Sequence, residues 1–529
     1  MARSSVKYLP EALPTLVPDG VCQYPCARVR GGPALFLADV CRIHNTWTVK
    51  SPITRFRIAD GRDELRDPSP GAEGNQFMKN HFTRRGFIRR AAAGTAALTW
   101  LGSRRSPMTF AAETAKPALL GGVPAHPGGW SEWPQWMESW EPAVIKVLRS
   151  GKWYRGDGGH VAEFETGYAK LLGAKRCLAT ASGTTALLVS LHVMDVDAGD
   201  EVIVSPYTFI ATYNAILINK ALPVFADTDP ATLTVDPASI ESRITERTRA
   251  ILPVHIYGMP CDMDPINTIA RKHKLAVIED ACQAWLAEYK GRKCGTLGDL
   301  GCFSFQNSKH IPSGEGGAVT GDSDDLLDRC HAFHNVGRAT GSFKGAKPFF
   351  TRGSNYRMQQ FQAVILMQQF DKLVQETARR CENADYLTAN LKQIPGIHPA
   401  RLPESSRAVW HLYPFRYDAE HFSGLARDKF VQALNAEGVP CSGGYHEQYF
   451  DGLLDEAINS RGFKRLFSAQ RLKAYRESFQ ELKGNRQVCA TTVAMPQNLL
   501  LAGRADMDHI IEAVRKLQAH SAALEKASA

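Results

Sequence analysis

Beyond residue 117 the chain alternates short apolar runs with longer stretches whose apolar residues recur every three or four positions. Seven runs read as strands: CLAT (177–180), EVIVSP (201–206), LPVFAD (222–227), AILPVHIYG (250–258), LAVIEDA (275–281), GCFSF (301–305) and GAVTG (317–321). They are close to continuously apolar and bounded by Gly, Pro, Asp or Ser, the pattern of strands buried on both faces. Helical stretches of ten or more residues separate many of them. The sequence therefore predicts an α/β fold with a large, mostly parallel sheet covered by helices on both sides.

An irregular arm rich in Pro, Gly and Trp (118–136) precedes two helical segments, EPAVIKVLRS and VAEFETGYAKLLGA. A long helix is expected from Gln359 through Leu391, leading out of the sheet into a smaller α+β portion. That portion offers the strand WHLYPFRYD, the helices ARDKFVQALNAEG and DMDHIIEAVRKLQAH, and a charged helical excursion over 451–487. The expected domains are a large one with its arm over 117–375 and a small carboxy-terminal one over 376–522.

Residues 1–77 carry no sustained period and are rich in Pro, Gly and charge, so disorder is expected there, or an extension that is not part of the protein, with translation starting at Met78. Over 78–112, Thr83-Arg84-Arg85-Gly86-Phe87-Ile88-Arg89 resembles a twin-arginine export signal. The apolar run after it, Ala91 to Leu101, is too short to span a bilayer. Export of an already folded protein to the periplasm is one reading; a basic, alanine-rich linker on a cytoplasmic protein is the other.

Composition changes this picture little. At 44% hydrophobic and 22% charged residues, the chain is an ordinary globular protein. The net charge of +9 gathers near the amino end, in Lys79, Arg84, Arg85, Arg89, Arg90, Arg104 and Arg105, and no basic stripe interleaved with aromatics follows, which argues against a nucleic-acid partner. Twelve cysteines without a CxxC pair read as isolated thiols rather than a disulfide framework or a metal site.

The chemistry concentrates where apolar strands run out into polar loops. Asp280 ends VIED, and Lys309 lies in SFQNSKHIPSGEGGAV. A carboxylate and a lysine in these settings suit pyridoxal 5′-phosphate: the lysine holds the aldehyde as a Schiff base, and the aspartate keeps the pyridine nitrogen protonated. Ser182-Gly183-Thr184-Thr185, before an apolar helix, offers backbone N–H groups and hydroxyls to a phosphate, although the same residues make an ordinary helix cap. No HExxH, GxSxG, Walker or Rossmann glycine motif competes.

These segments, in this order and spacing over about 117–520, resemble the DegT/DnrJ/StrS sugar aminotransferase family, with WHLYPFRYD and RDKFVQALNAEGVPCSGGY nearest its glutamine-dependent scyllo-inosamine branch. The resemblance implies the aspartate-aminotransferase fold and a homodimer with shared active sites. It implies Lys309 and Asp280 as catalytic residues, and Gly183, Thr184 and Ser304 around the cofactor phosphate. Phe209 is implied against the cofactor ring, Gln283 beside it, and Asn355 reaching the neighbour's phosphate from the other subunit. IEDACQAW departs from the family at Cys282, and His310 stands where many relatives carry asparagine. His255, His310, His446 and Tyr449 are candidate substrate contacts. The implied activity moves an amino group from glutamine or glutamate to a keto-cyclitol or keto-sugar. Two alternatives stay open: a sugar dehydratase-type relative, which typically replaces the lysine with histidine, and a non-catalytic binding or regulatory protein of the same fold.

Overall fold

The computed structural model describes residues 115–527 apart from residue 346. The irregular stretch 1–77 and the paired-arginine segment 78–112 lie outside the described residues. All seven apolar runs become strands of one sheet: β1 (Arg176–Thr180), β2 (Glu201–Val204), β3 (Leu222–Phe225), β4 (Thr248–Leu252), β5 (Ala276–Asp280), β6 (Leu300–Ser304) and β7 (Gly317–Gly321). Their order across the sheet is β1-β7-β6-β5-β4-β2-β3, and β7 alone runs against its neighbours.

The absence of apolar–polar alternation has a direct cause. Val202 and Val204 of β2 pack into one hydrophobic cluster, while Ile203 between them packs into another on the opposite face. The first face is covered by α3 (Gly183–Val193), α4 (Ala211–Ile218) and α6 (Asp324–His334), through Leu187, Ile216 and Leu327. The second is covered by α2 (His160–Leu172), α5 (Met263–His273) and α7 (Gln360–Met367), through Phe164, Ile266 and Leu366. The helix α1 (Glu141–Ser150) precedes them and packs its Val144 and Val147 against Val364 of α7.

The expected long helix is broken. It runs as α7 and then α8 (Phe370–Leu391), interrupted at Gln368 and Gln369. Gln369 makes a tight 3.0 Å bond to Leu366 O, and its buried side-chain amide donates to Pro312 O at 2.8 Å and to Ile365 O at 2.9 Å. A side chain that captures a carbonyl of the preceding turn redirects the helix there.

Beyond α8, β8 (Ile397–Pro399), β9 (Leu412–Tyr417) and β10 (Thr492–Pro496) form a three-stranded antiparallel sheet in that order. Phe415 of β9 packs with Phe430 of α9 (Arg427–Ala436) and lies in one cluster with Val514 of α10 (Arg504–Ala519). Between α9 and β10 the charged excursion folds as short helices, among them Leu453–Asn459, Arg461–Leu466 and Ala469–Glu477. The arm is tied down by a buried ion pair: Lys516 Nζ lies 2.9 Å from Glu437 Oε2, and Glu437 accepts from Ala118 and Ala125 N–H at 2.7 and 2.8 Å. No helix among the described residues is long and apolar enough to cross a membrane.

Candidate active site

A cavity of about 610 Å³ opens at the carboxyl ends of β1, β5 and β6, where open α/β sheets generally receive ligands. Each wall follows from a strand that ends there. After β1 the chain turns into α3 through Ser182, an N-cap in extended conformation. Ser182 Oγ accepts from Thr185 N–H at 3.1 Å and Thr185 Oγ1 accepts from Ser182 N–H at 2.9 Å, a reciprocal capping box. Ordinary capping therefore takes Ser182 and Thr185. The first-turn N–H groups of Gly183 and Thr184 have no acceptor within the helix, and both residues line the cavity.

Gly183 has no room for a side chain. A Cβ there would lie 2.8 Å from Ser304 Cβ and 2.9 Å from Cys282 Sγ. Gly317 is under the same constraint, since its Cβ would lie 2.3 Å from Ser182 O. The start of α3 is thus pressed between β7 and the ends of β5 and β6.

Asp280 closes β5, 5% exposed and facing the cavity. Its Oδ2 accepts from Thr212 Oγ1 at 2.8 Å and its Oδ1 from Cys282 N–H at 3.2 Å. Both oxygens act as acceptors, so an amide in its place would satisfy only one of these donors. Thr212 is itself held by Thr208 Oγ1 at 2.9 Å, and Phe209 lines the cavity from the same loop with 55% of its surface exposed.

Lys309 lies on the turn after β6, fixed through its backbone by Gln306 O at 2.9 Å and by Trp133 Nε1 of the arm, which donates to Lys309 O at 3.0 Å. Its Nζ sits 5.8 Å above the Trp285 ring. Burial holds its pKa below the ordinary lysine value, and the neighbouring Cys282 sulfur and Asp280 carboxylate oppose that shift without cancelling it. Beneath it, burial and the charges of Lys309 and Arg380 hold His411 well below the usual histidine pKa, so the cavity wall offers a neutral imidazole.

The cavity gathers Gly183, Thr184, Phe209, Asp280, Gln283, Ser304 and Lys309 from the sequence-predicted set. Gln283 accepts from Tyr257 N–H at 2.8 Å and donates to Tyr445 OH at 3.2 Å. The remaining candidates lie elsewhere. His255 is fully buried on the other side of β5, with Nδ1 accepting from Cys261 N–H at 3.0 Å and Nε2 2.9 Å from Glu279 Oε2. His310 is buried against Trp285 and His411, and burial with Arg380 holds its pKa well below the ordinary value. His446 is exposed and pairs with Asp451 at 2.6 Å. Tyr449 is core, its OH bonded to Glu447 at 2.7 Å. Asn355 is exposed away from this chain's own cavity. Thr212, His411 and Tyr445 line the cavity without having been singled out in sequence, although His411 and Tyr445 fall within the segments WHLYPFRYD and RDKFVQALNAEGVPCSGGY and Thr212 follows Phe209 by three positions.

A groove of about 640 Å³ in the helical excursion holds none of this chemistry; its Arg476 and Asp455 neutralise each other at 2.8 Å. The first cavity, in contrast, fits a planar, phosphorylated aldehyde: free amides and a serine at one end, a buried amine, and a carboxylate. Together with the fold it defines a pyridoxal-phosphate-dependent transferase of the aspartate-aminotransferase type, fold type I. The DegT/DnrJ/EryC1/StrS aminotransferase family matches over residues 135–515, and the chain belongs to it. A putative L-glutamine:3-amino-2,3-dideoxy-scyllo-inosose aminotransferase of Streptoalloteichus tenebrarius is 35% identical over 78% of this chain and 100% of its own. The L-glutamine:scyllo-inosose aminotransferase of Streptomyces griseus is 33% identical over 73% of this chain and 94% of its own. Among solved structures, the aminotransferase from Psychrobacter cryohalolentis superposes with a TM-score of 0.64 at 31% identity, covering 73% of this chain and 98% of that one.

Proposed function

We propose that this enzyme transfers an amino group from glutamine, or glutamate, to a keto-cyclitol or closely related keto-sugar. The observation that carries the reading is the meeting of Lys309, Asp280 and the open amides of Gly183 and Thr184 in one cavity. The glutamine and inosose in the names of its relatives supply the donor and acceptor class.

Pyridoxal phosphate, when bound, supplies an electron-withdrawing ring that stabilises negative charge at the substrate carbon. Gly183 and Thr184 N–H groups at the amino end of α3, with Ser304, would hold its phosphate. Phe209 would cover one face of the ring, Gln283 would lie beside it, and Asp280 would keep the ring nitrogen protonated, a task for which its bonds to Thr212 and Cys282 orient it. Lys309 would hold the aldehyde carbon, and its amine would be the base that takes the proton from the donor's Cα. A depressed pKa suits it to that work, because more of the amine is free to accept a proton near neutral pH. We assign Asn355 of the partner subunit to the phosphate as well, so that the working enzyme is a homodimer with shared sites. The same reading divides the catalytic part into a cofactor-binding portion over 117–375 and a smaller one over 376–522.

Borohydride reduction tests the assignment. Wild-type protein retains covalently bound cofactor after reduction and unfolding, and Lys309→Ala loses it. An adduct that persists in Lys309→Ala overturns the role of the lysine. Glutamine then bleaches the cofactor absorbance of the wild type; a spectrum unmoved by glutamine, glutamate or alanine overturns the transfer reading.

A further inference from the structure

Away from the cavity, where the arm crosses α10, three metal-ligating side chains converge. Asp506 and His509 are three residues apart on the helix and share a face. His126 arrives from the arm, 380 positions away from Asp506 in sequence, and its Nε2 lies 3.1 Å from Asp506 Oδ1. One ligand atom from each of the three lies within 4.8 Å of the others.

The surroundings are built. The His126 ring is 4% exposed, stacked on Trp130 at 4.1 Å and met edge-on by His509 at 5.5 Å. Trp130 is anchored by donating Nε1–H to Gly438 O at 2.7 Å, and His126 N–H donates to Glu437 O at 2.9 Å. Nδ1 of His509 is buried without a hydrogen-bond partner, a condition that buried polar atoms rarely tolerate. Asp506 caps α10 with Oδ2, accepting Gly503 N–H at 2.8 Å, which leaves Oδ1 directed at His126.

We propose that His126, Asp506 and His509 bind one divalent transition-metal ion of the Zn²⁺ type, which staples the arm to α10. Two imidazoles and one carboxylate form a nitrogen-rich set that favours Zn²⁺ and its first-row neighbours over Mg²⁺ or Ca²⁺. Metal–ligand bonds of about 2.0–2.2 Å in tetrahedral geometry put ligand atoms roughly 3.3 Å apart. The His126–Asp506 separation of 3.1 Å already meets that, and an ion would have to draw His509 in from a spacing of up to 4.8 Å. Water takes the fourth position. Lys516, two turns along α10, does not oppose the ion, because Glu437 neutralises it at 2.9 Å. The competing account is a plain His126–Asp506 hydrogen bond with His509 as an aromatic neighbour.

The test uses the tag-free full chain with its cofactor bound, stripped by a chelator and titrated with ZnCl₂ by calorimetry. One ion per chain is expected at this site, with affinity reduced at least about tenfold in both His509→Ala and Asp506→Asn. Asp506→Asn keeps an oxygen to cap Gly503, so it serves where another variant folds poorly. Zn²⁺ also raises the unfolding temperature of the wild type and leaves that of the variants unmoved. No stoichiometric binding, or equal binding by wild type and both variants, overturns the site in favour of the plain hydrogen bond.

Discussion

Gly183→Ala puts one methyl group into the tightest point of the cavity. The new Cβ would stand 2.8 Å from Ser304 Cβ, 2.9 Å from Cys282 Sγ and 3.3 Å from Ser304 Cα. Carbon atoms pack best at about 3.5–4.0 Å, so close to 1 Å of displacement has to be absorbed. Ser304 cannot retreat freely, being paired with Gly317 across β6 and β7. Nor can α3 move back, because Gly317 already lies against Ser182. Overpacking of this kind costs about 1–3 kcal/mol. If roughly half of the upper figure is lost from cofactor binding, affinity falls about tenfold, and if nearly all of it is, about 100-fold. Fluorescence titration of cofactor-free protein with pyridoxal phosphate measures this directly, with unfolding temperature recorded alongside. Adding Cys282→Ala to Gly183→Ala removes the sulfur contact but not those with Ser304, so it restores part of the loss. Wild-type affinity and stability in Gly183→Ala would refute the packing argument, and full recovery in the double variant would show that Ser304 does not limit the fit.

Thr212→Val removes a donor to Asp280 at nearly constant shape; a hydrogen bond to a charged group is worth about 1.5–3 kcal/mol, so kcat/KM in steady-state assays drops about 10- to 100-fold, and an unchanged value removes Thr212 from the site. Lys309 has a folded pKa below its unfolded one, so the folded state binds fewer protons between the two values and the cofactor-free protein gains stability as pH rises through that window. Lys309→Met abolishes that rise and is the more stable protein at pH 7; parallel pH–stability curves for the two would contradict the depressed pKa. Lys516→Met strands the buried Glu437 carboxylate and destabilises the fold by about 3–5 kcal/mol in denaturant unfolding, whereas a loss below about 1 kcal/mol would mean that the pair does not anchor the arm.

The parallel sheet was legible because strands buried on both faces leave unbroken apolar runs, as in EVIV with Val202 and Val204 on one side and Ile203 on the other. Lys309, Asp280 and Gly183 were legible for a different reason: each sits in a local word at a strand end, and the cavity assembles those ends. What escaped depended on contacts between distant segments. The break at Gln369 comes from a carbonyl of Pro312, which no helical period reports. The strands β8 and β10 are short, at Ile397–Pro399 and Thr492–Pro496, and gain their identity from β9 between them. In GYHEQYF the cavity takes Tyr445, whose ring stacks on Tyr257 at 5.6 Å, and leaves His446 in solvent and Tyr449 in the core. The cluster of His126, Asp506 and His509 had no sequence signature, because its first member stands at the other end of the described chain.

Strand alternation explains why two adjacent carboxylates take opposite parts. Asp280 faces the cavity, and Glu279 faces the other side of the sheet without solvent exposure. There Glu279 accepts from Gly295, Leu297 and Gly298 N–H at 2.7, 2.6 and 2.7 Å and pairs with His255 at 2.9 Å. These bonds fix the loop that enters β6. The loop has no slack, since a Cβ on Gly301 would lie 2.4 Å from Gly295 Cα. Strand β6 then delivers Ser304 to the cavity and leads into the Lys309 turn. His255 thus acts on the site at one remove, by holding Glu279, which holds the loop that sets where β6 ends. The distance between the cavity's carboxylate and its lysine is in this way determined from behind the sheet, by a buried network on the opposite face.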